Sequence, residues 1–341
     1  MLQIKLLQAL YGDCIVLSYG QDSLHHIIID GGTGRLCYRQ LQETLHQVKE
    51  AQEHVDLLVL THIDSDHISG FIRLFSQKSF PFHIIKRMWF NFGKSLNNSL
   101  RLTVPPLDVT LRPSDSKISW KQGESLEALL GGTSILRESL IKKMDIFEIS
   151  GARITVLSPS QDTLKLLAVT GISEPVRTTQ ISGSNDYNRG ILKLNSLPFD
   201  SQVSLTNRSS IAFLFQYCGF TLLFLGDAAA DEIEDSFMRL GYSCQNKIKI
   251  DYCKIAHHAS KHNTSNQLIQ MMDCHNFIIS THKTSQGRPS KECLSRIICN
   301  TKEPVTFYCN YNLNAESIFT KQELDTYKMK FITLDENGIT V

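Results

Sequence analysis

Apolar residues in this chain fall into short runs divided by polar turns, and the runs alternate between strand-like and helix-like spacing. LQIKLLQA, CIVLSYG and LHHIIID read as strands, with a turn at Tyr11-Gly12-Asp13 and a close on Gly31-Gly32. Leu36, Leu41, Leu45 and Val48 recur near helical spacing and predict a helix over 36–53. VDLLVL is continuously apolar, the pattern of a strand inside a sheet. SGFIRLFSQ suggests a short helix and HIIKRMWF a strand. ESLEALLGGTSILRESLIKKM suggests a helix interrupted at Gly131-Gly132, and ARITVLSP a further strand.

From about 160 to 208 a short helix passes into SGSNDYNRG and SLPFDSQ, whose Ser, Asn, Asp and Gly favour a surface loop or mobile lid. SSIAFLFQYCGFTLLFLGD reads as a hairpin around Tyr217-Cys218-Gly219. Ile233, Phe237 and Leu240 then give an amphipathic helix face. YCKIAHH and NFIIST read as strands, PSKECLSRIIC as a helix with Pro near its first turn, and FITLDENGITV as a hairpin. Alternating strands and helices, with polar residues collected at strand ends, argue for an α/β protein of layered sheets whose site lies along one edge.

Composition changes this picture little. At 341 residues, 42% hydrophobic and 20% charged, the chain can bury a substantial core. A net charge of +1 gives no long-range pull on polyanions, so any such substrate needs a local basic patch. Nine cysteines without CxxC spacing, and no N-terminal signal pattern, lead us to expect a cytoplasmic protein. No apolar run nears the roughly 20 residues that span a bilayer, so no membrane association is expected.

The candidate chemistry begins with THIDSDH, where the apolar strand ends. His62 and Asp64 would project to one side of a strand, and the following turn would redirect Asp66 and His67 toward a neighbouring point. Imidazole and carboxylate together suit zinc, manganese or iron. Singly, each is as well explained as a surface or helix-capping residue. Asp227 closes another apolar strand, where it serves either as a metal bridge or as a helix cap. His257 and His258 follow a third, and strand alternation allows only one of them to reach a metal directly.

The order HxDxDH, GD, HH resembles the metallo-β-lactamase fold superfamily, whose signature is HxHxDH. Among its branches it most resembles the ComEC-type hydrolase domains, which carry HxDxDH. Tyr11-Gly12-Asp13-Cys14 with IIIDGG is similar to that family's opening hairpin. Asn207-Arg208-Ser209-Ser210, Leu225-Gly226-Asp227 and His257-His258-Ala259-Ser260 are similar to its later motifs, with Ala259 where Gly is usual. GRPSKECL resembles its GHPS segment, and ENGITV its closing strand.

The resemblance implies a four-layered αββα sandwich forming one domain over 1–341. Residues 90–205 would be a variable insertion or lid between the halves. It further implies two divalent ions, Zn or Mn, one held by His62, Asp64 and Asp227 and the other by Asp66, His67, Asp227 and His257. The first site lacks a customary extra His and is expected to be the weaker. His83, Asn91 and His282 are the candidates to complete it. Arg288 stands where related domains often have His; a guanidinium cannot ligate a cation but clamps phosphate or carboxylate.

A bound divalent ion acidifies water toward neutral pH, so hydrolysis is the expected reaction class. Asp66 is expected to orient the nucleophile, and His258, Arg288 or Lys261 to stabilise charge or aid the leaving group. The leading expectation is a phosphodiesterase or nuclease acting on nucleic acid or a nucleotide-like molecule, with Lys247, Lys249, Lys254 and Lys261 flanking the second motif. The alternatives are an ester, lactone or amide hydrolase, and a non-catalytic subunit that meets a protein partner through 90–205.

Overall fold

The computed structural model describes residues 1–77, 80–102, 115–170, 185–282, 287–302 and 304–341. Its contacts divide the chain into two compact units: Met1–Lys142 with Ser160–Arg177 and Asp335–Val341, and Lys143–Pro159 with Thr178–Leu334. Each unit has one large sheet and its own apolar core.

The first unit holds β1 (Leu2–Leu6), β2 (Ile15–Gly20), β3 (Leu24–Ile29), α1 (Arg35–Glu50), β4 (His54–Val59), α2 (Ser65–Phe75), β5 (Arg87–Trp89), α3 (Gly93–Ser99), α4 (Asp115–Leu130) and β6 (Leu136–Glu138). The second holds β7 (Ile146–Ile149) and β8 (Ala152–Ser158). The chain then returns to the first unit for α5 (Gln161–Thr170). The rest of the second unit is α6 (Ile191–Asn195), α7 (Leu205–Arg208), β9 (Ala212–Tyr217), β10 (Phe220–Phe224), α8 (Ala230–Arg239), β11 (Ile248–Lys249), β12 (Tyr252–Lys254), α9 (Asn266–Gln270), β13 (Met272–Asp273), β14 (Asn276–Ile279), α10 (Lys291–Asn300), β15 (Val305–Cys309), α11 (Lys321–Tyr327) and β16 (Met329–Thr333). The last strand, β17 (Ile339–Thr340), belongs to the first unit.

In the first unit the strand order is β17-β1-β2-β3-β4-β5-β6. VDLLVL becomes β4, paired in parallel with β3 and β5, and this central position explains why its residues past His54 are all buried. Leu41, Leu45 and Val48 of α1 and Ile68, Phe71 and Leu74 of α2 close over Val16, Ile28 and Leu58. The predicted helix is thus present, although Leu36 lies on its exposed side. In the second unit the order is β16-β15-β14-β12-β10-β9-β8-β7. Ile233 and Phe237 of α8 and Leu294 and Ile297 of α10 pack into its core with Leu214, Leu223 and Phe277. The α/β fold with two helix-flanked sheets is therefore as expected.

Three elements differ from the pattern reading. The long helix expected after residue 124 ends at Leu130, and β6 follows as an edge strand, because Gly131-Gly132 stop the helix. HIIKRMWF splits into a 3₁₀ turn at Phe82–Ile84 and β5. The expected C-terminal hairpin does not form: β16 pairs with β15 and β17 pairs with β1. Residues 171–184, within the interval read as a mobile loop, lie outside the described residues. No helix among the described residues is long and apolar enough to cross a membrane.

Candidate metal centre

Both donor sets lie where apolar strands end. In the first unit β4 stops at Val59, and buried Thr61 and His62 lead into α2. Asp64 occupies the N-cap position of α2, yet its side chain makes no capping bond. Its Oδ2 lies instead 3.6 Å from His62 Nε2. Asp66, in the first turn of α2, has Oδ2 3.7 Å from His67 Nε2. The two imidazole rings lie 4.2 Å apart between centroids. All four side chains of THIDSDH therefore meet at one place.

Their orientation is set by Asp30, at the end of β3, with φ 59° in the left-handed region that Asp tolerates better than most residues. Its Oδ2 accepts from His67 Nδ1 at 2.7 Å and from Thr61 Oγ1 at 2.8 Å, while Oδ1 accepts from the Thr61 amide at 2.7 Å. The Thr61 hydroxyl has given its only hydrogen to Asp30, so it accepts from His62 Nδ1, 3.0 Å away. Both imidazoles thus carry hydrogen on Nδ1, which in the neutral ring leaves Nε2 as the lone-pair nitrogen. A carboxylate behind a histidine is the usual device for orienting a metal-binding imidazole. Asp13 is also buried, with a carboxylate oxygen within 4.8 Å of a His67 ring nitrogen. Gly12 presses on the same turn: a Cβ there would sit 2.0 Å from the Asp66 carbonyl oxygen.

In the second unit β10 ends at Phe224 and Gly226 turns the chain with φ 50°. Asp227 follows, buried, its amide donating to Ser210 Oγ at 3.1 Å. It is not a helix cap, since the N-cap of α8 is Ala229. After β12 the chain leaves strand geometry: His257, His258 and Ala259 have φ of 50°, 57° and 64°. Three successive left-handed residues each cost roughly 1–2 kcal/mol, which explains why Gly is usual at the third. They also remove the strand alternation on which the expectation for this histidine pair rested. His257 Nε2 lies 3.3 Å from Asp227 Oδ2, and a ring nitrogen of His258 lies within 4.8 Å of an Asp227 oxygen. His258 Nδ1 donates to the Ser280 carbonyl at 2.8 Å, so its Nε2 is again the lone-pair nitrogen. Asn207 Nδ2 stands 3.4 Å from both Asp227 Oδ2 and His257 Nε2. The His257 pKa is pushed down to about 3, chiefly by burial; Asp227 opposes the fall, Arg288 and His258 add to it, and Asn263 opposes it.

This donor chemistry fits a divalent cation. In each unit imidazole Nε2 atoms face carboxylate oxygens across 3.3–3.7 Å. Two acceptors at that spacing repel unless a proton or cation lies between them. Around an ion with bonds of about 2.1 Å, neighbouring donors sit roughly 3.0–3.4 Å apart.

Other expected residues take different places. Arg288 is half-buried and near enough for its charge to act on His257. Asn91 is spent on Ile141, donating to its carbonyl at 2.6 Å and accepting from its amide at 2.8 Å. His83 is exposed in the 3₁₀ turn, and His282 is exposed with its ring 4.8 Å from Tyr311. Lys254 is buried and donates to the Ile255 carbonyl at 3.1 Å, so it adds nothing to a basic surface. Lys261 lies 3.8 Å from Glu292. Asp30, Thr61 and Asn263 carry no role in the sequence reading. The signal for Asp30 is there all the same: IIID ends an apolar run in an acid, as LLFLGD does.

The family description "Metallo-beta-lactamase superfamily" matches residues 9–130. The fold is that of the metallo-β-lactamase superfamily. With imidazole and carboxylate donors clustered at its strand ends, the protein is a metal-dependent hydrolase. Solved structures similar to it include the metallo-β-lactamase fold protein YhfI from Bacillus subtilis, at 9% identity and TM-score 0.41, over 99% of this chain and 98% of that one. Zn(2+)-bound PqqB from Methylobacterium extorquens is 9% identical at TM-score 0.41, over 96% and 86%. A putative metal-dependent hydrolase from Parabacteroides distasonis is 12% identical at TM-score 0.38, over 97% and 93%. At these levels none of them informs the substrate. No curated protein matches the chain.

Proposed function

We propose that the protein hydrolyses phosphodiesters, in nucleic acid or in a nucleotide-like small molecule, with two divalent ions, zinc or manganese. The observation that carries this reading is the Arg288 guanidinium, close enough to His257 to act on its protonation. A guanidinium within electrostatic reach of metal donors suits an anionic group with two or more oxygens. The donor set is rich in carboxylate, which makes manganese a serious rival to zinc.

In this reading His62, Asp64, Asp66 and His67 are metal donors of the first unit, with Asp13 as a further donor, and Asp227, His257 and His258 are metal donors of the second. A divalent ion there supplies Lewis acidity and lowers the pKa of water toward neutrality. Asp66 orients the attacking water, Asp30 and Thr61 hold the imidazoles with Nε2 forward, and Arg288 receives the phosphoryl oxygens. The branch resembled, the ComEC-type domains, and the HxDxDH spelling support the same choice of substrate.

The test is a turnover screen of protein reconstituted with zinc or with manganese, beside Asp66→Ala. Substrates are bis(p-nitrophenyl) phosphate, single-stranded DNA, RNA, a lactone and a chromogenic cephalosporin. Phosphodiester cleavage that falls at least about 100-fold in the variant is expected. Turnover of the lactone or cephalosporin alone would replace this reading with the ester or amide one. Less than one ion per chain under replete conditions would favour a non-catalytic role.

A further inference from the structure

We propose that Asn263 is a positioning residue that fixes His257 in the tautomer with hydrogen on Nδ1 and turns its Nε2 toward Asp227. The use of that Nε2 as a metal donor rests on the proposed function; the tautomer does not.

Asn263 is buried, at 1% exposure. Its Nδ2 donates to two main-chain carbonyls, Asp227 at 2.9 Å and Ala228 at 3.1 Å. Carbonyls only accept, so these two bonds decide which end of the amide is nitrogen. The other end, Oδ1, lies 3.0 Å from His257 Nδ1, and an amide oxygen can only accept. His257 Nδ1 therefore bears the hydrogen.

Asn207 does not share in this choice. Ser204 Oγ donates to Asn207 Oδ1 at 3.0 Å, leaving Nδ2 to donate, but Nδ2 lies 3.4 Å from both His257 ring nitrogens. Asn263 is the partner that specifies the tautomer.

The loop bearing Asn263 is itself held. Buried Arg296 donates to the carbonyls of Lys261 at 2.7 Å and Thr264 at 3.0 Å, on either side of it, and pairs with Glu292. This matters because His257 sits in a left-handed turn at φ 50°, where no regular element aims its ring. A side-chain partner has to do so.

The test is nitrogen-15 NMR of metal-free protein labelled at histidine, with the His257 signals assigned by comparison with His257→Gln. Wild type is expected to show the neutral Nδ1–H form. Asn263→Ala, or Asn263→Ser if alanine fails to fold, is expected to give a mixture or the Nε2–H form. Zinc affinity, from chelator competition, is expected to fall about 10–100-fold. Hydrogen on Nε2 in wild type, or an unchanged tautomer in a folded variant, would overturn the proposal. If the tautomer shifts as expected while wild type cleaves no phosphodiester, the positioning role stands and the substrate reading falls.

Discussion

Asp64 shows how far a single residue can be read. Its type and place in THIDSDH mark it equally as ligand or cap. Only the geometry separates the two, with the cap unmade and the carboxylate turned to His62 at 3.6 Å. Gly12 is the reverse case, a turn residue in the sequence whose missing side chain lets two segments touch. A methyl group there would lie 2.0 Å from the Asp66 carbonyl oxygen, so backbone must shift. Gly12→Ala is expected to cost about 1–3 kcal/mol in urea denaturation and to lower metal content in elemental analysis. Wild-type values on both counts would show that the contact is slack. Asp30 is a second such case: Asp30→Asn weakens the acceptor for His67 Nδ1, and a 10–100-fold loss of metal affinity in a folded variant is expected, roughly the range for such supporting carboxylates. The strand geometry expected at the His257-His258 pair is absent for a physical reason. Strand alternation does not extend past β12 into residues with φ of 50° and 57°, a conformation no side-chain pattern announces.

At the scale of elements, legibility follows burial. β4 is apolar throughout because it is central, and α1 keeps its spacing because one face is covered. β6 has three residues at a sheet edge, too few and too exposed to carry a period. β17 finds its partner β1 at the opposite end of the chain, a pairing that no local signal encodes. Long-range ion pairs are equally silent. Lys143, just before β7, lies 2.7 Å from both Glu232 and Asp235 of α8, with its own side chain and that of Glu232 only 9% exposed. Removing one partner of a buried pair strands the other, although Arg208, 3.6 Å from Glu232, tempers the loss. Lys143→Met is expected to destabilise by about 2 kcal/mol, read from the urea midpoint. A double variant with Glu232→Gln should recover part of it, and no recovery would mean that packing rather than charge is lost.

For the whole molecule, the proposed centre makes stability a function of metal and of pH together. An ion that binds only the folded chain stabilises it by about 2.7 kcal/mol at one hundred times its dissociation constant. EDTA should therefore lower the melting temperature, and zinc or manganese restore it. The pH dependence has a definite sign. The His257 pKa falls from 6.5 to about 3 on folding, chiefly through burial. Between those values the unfolded chain binds the extra proton, so that contribution is intact above about pH 6.5 and is lost as pH falls toward 3. Urea midpoints of EDTA-treated protein should drop from about pH 8 to about pH 5, and more steeply when metal is present, because protons then also compete for the donor nitrogens. Equal slopes with and without metal would mean that the ion does not bind through these imidazoles. A flat profile in EDTA would show that His257 is not held neutral by its surroundings.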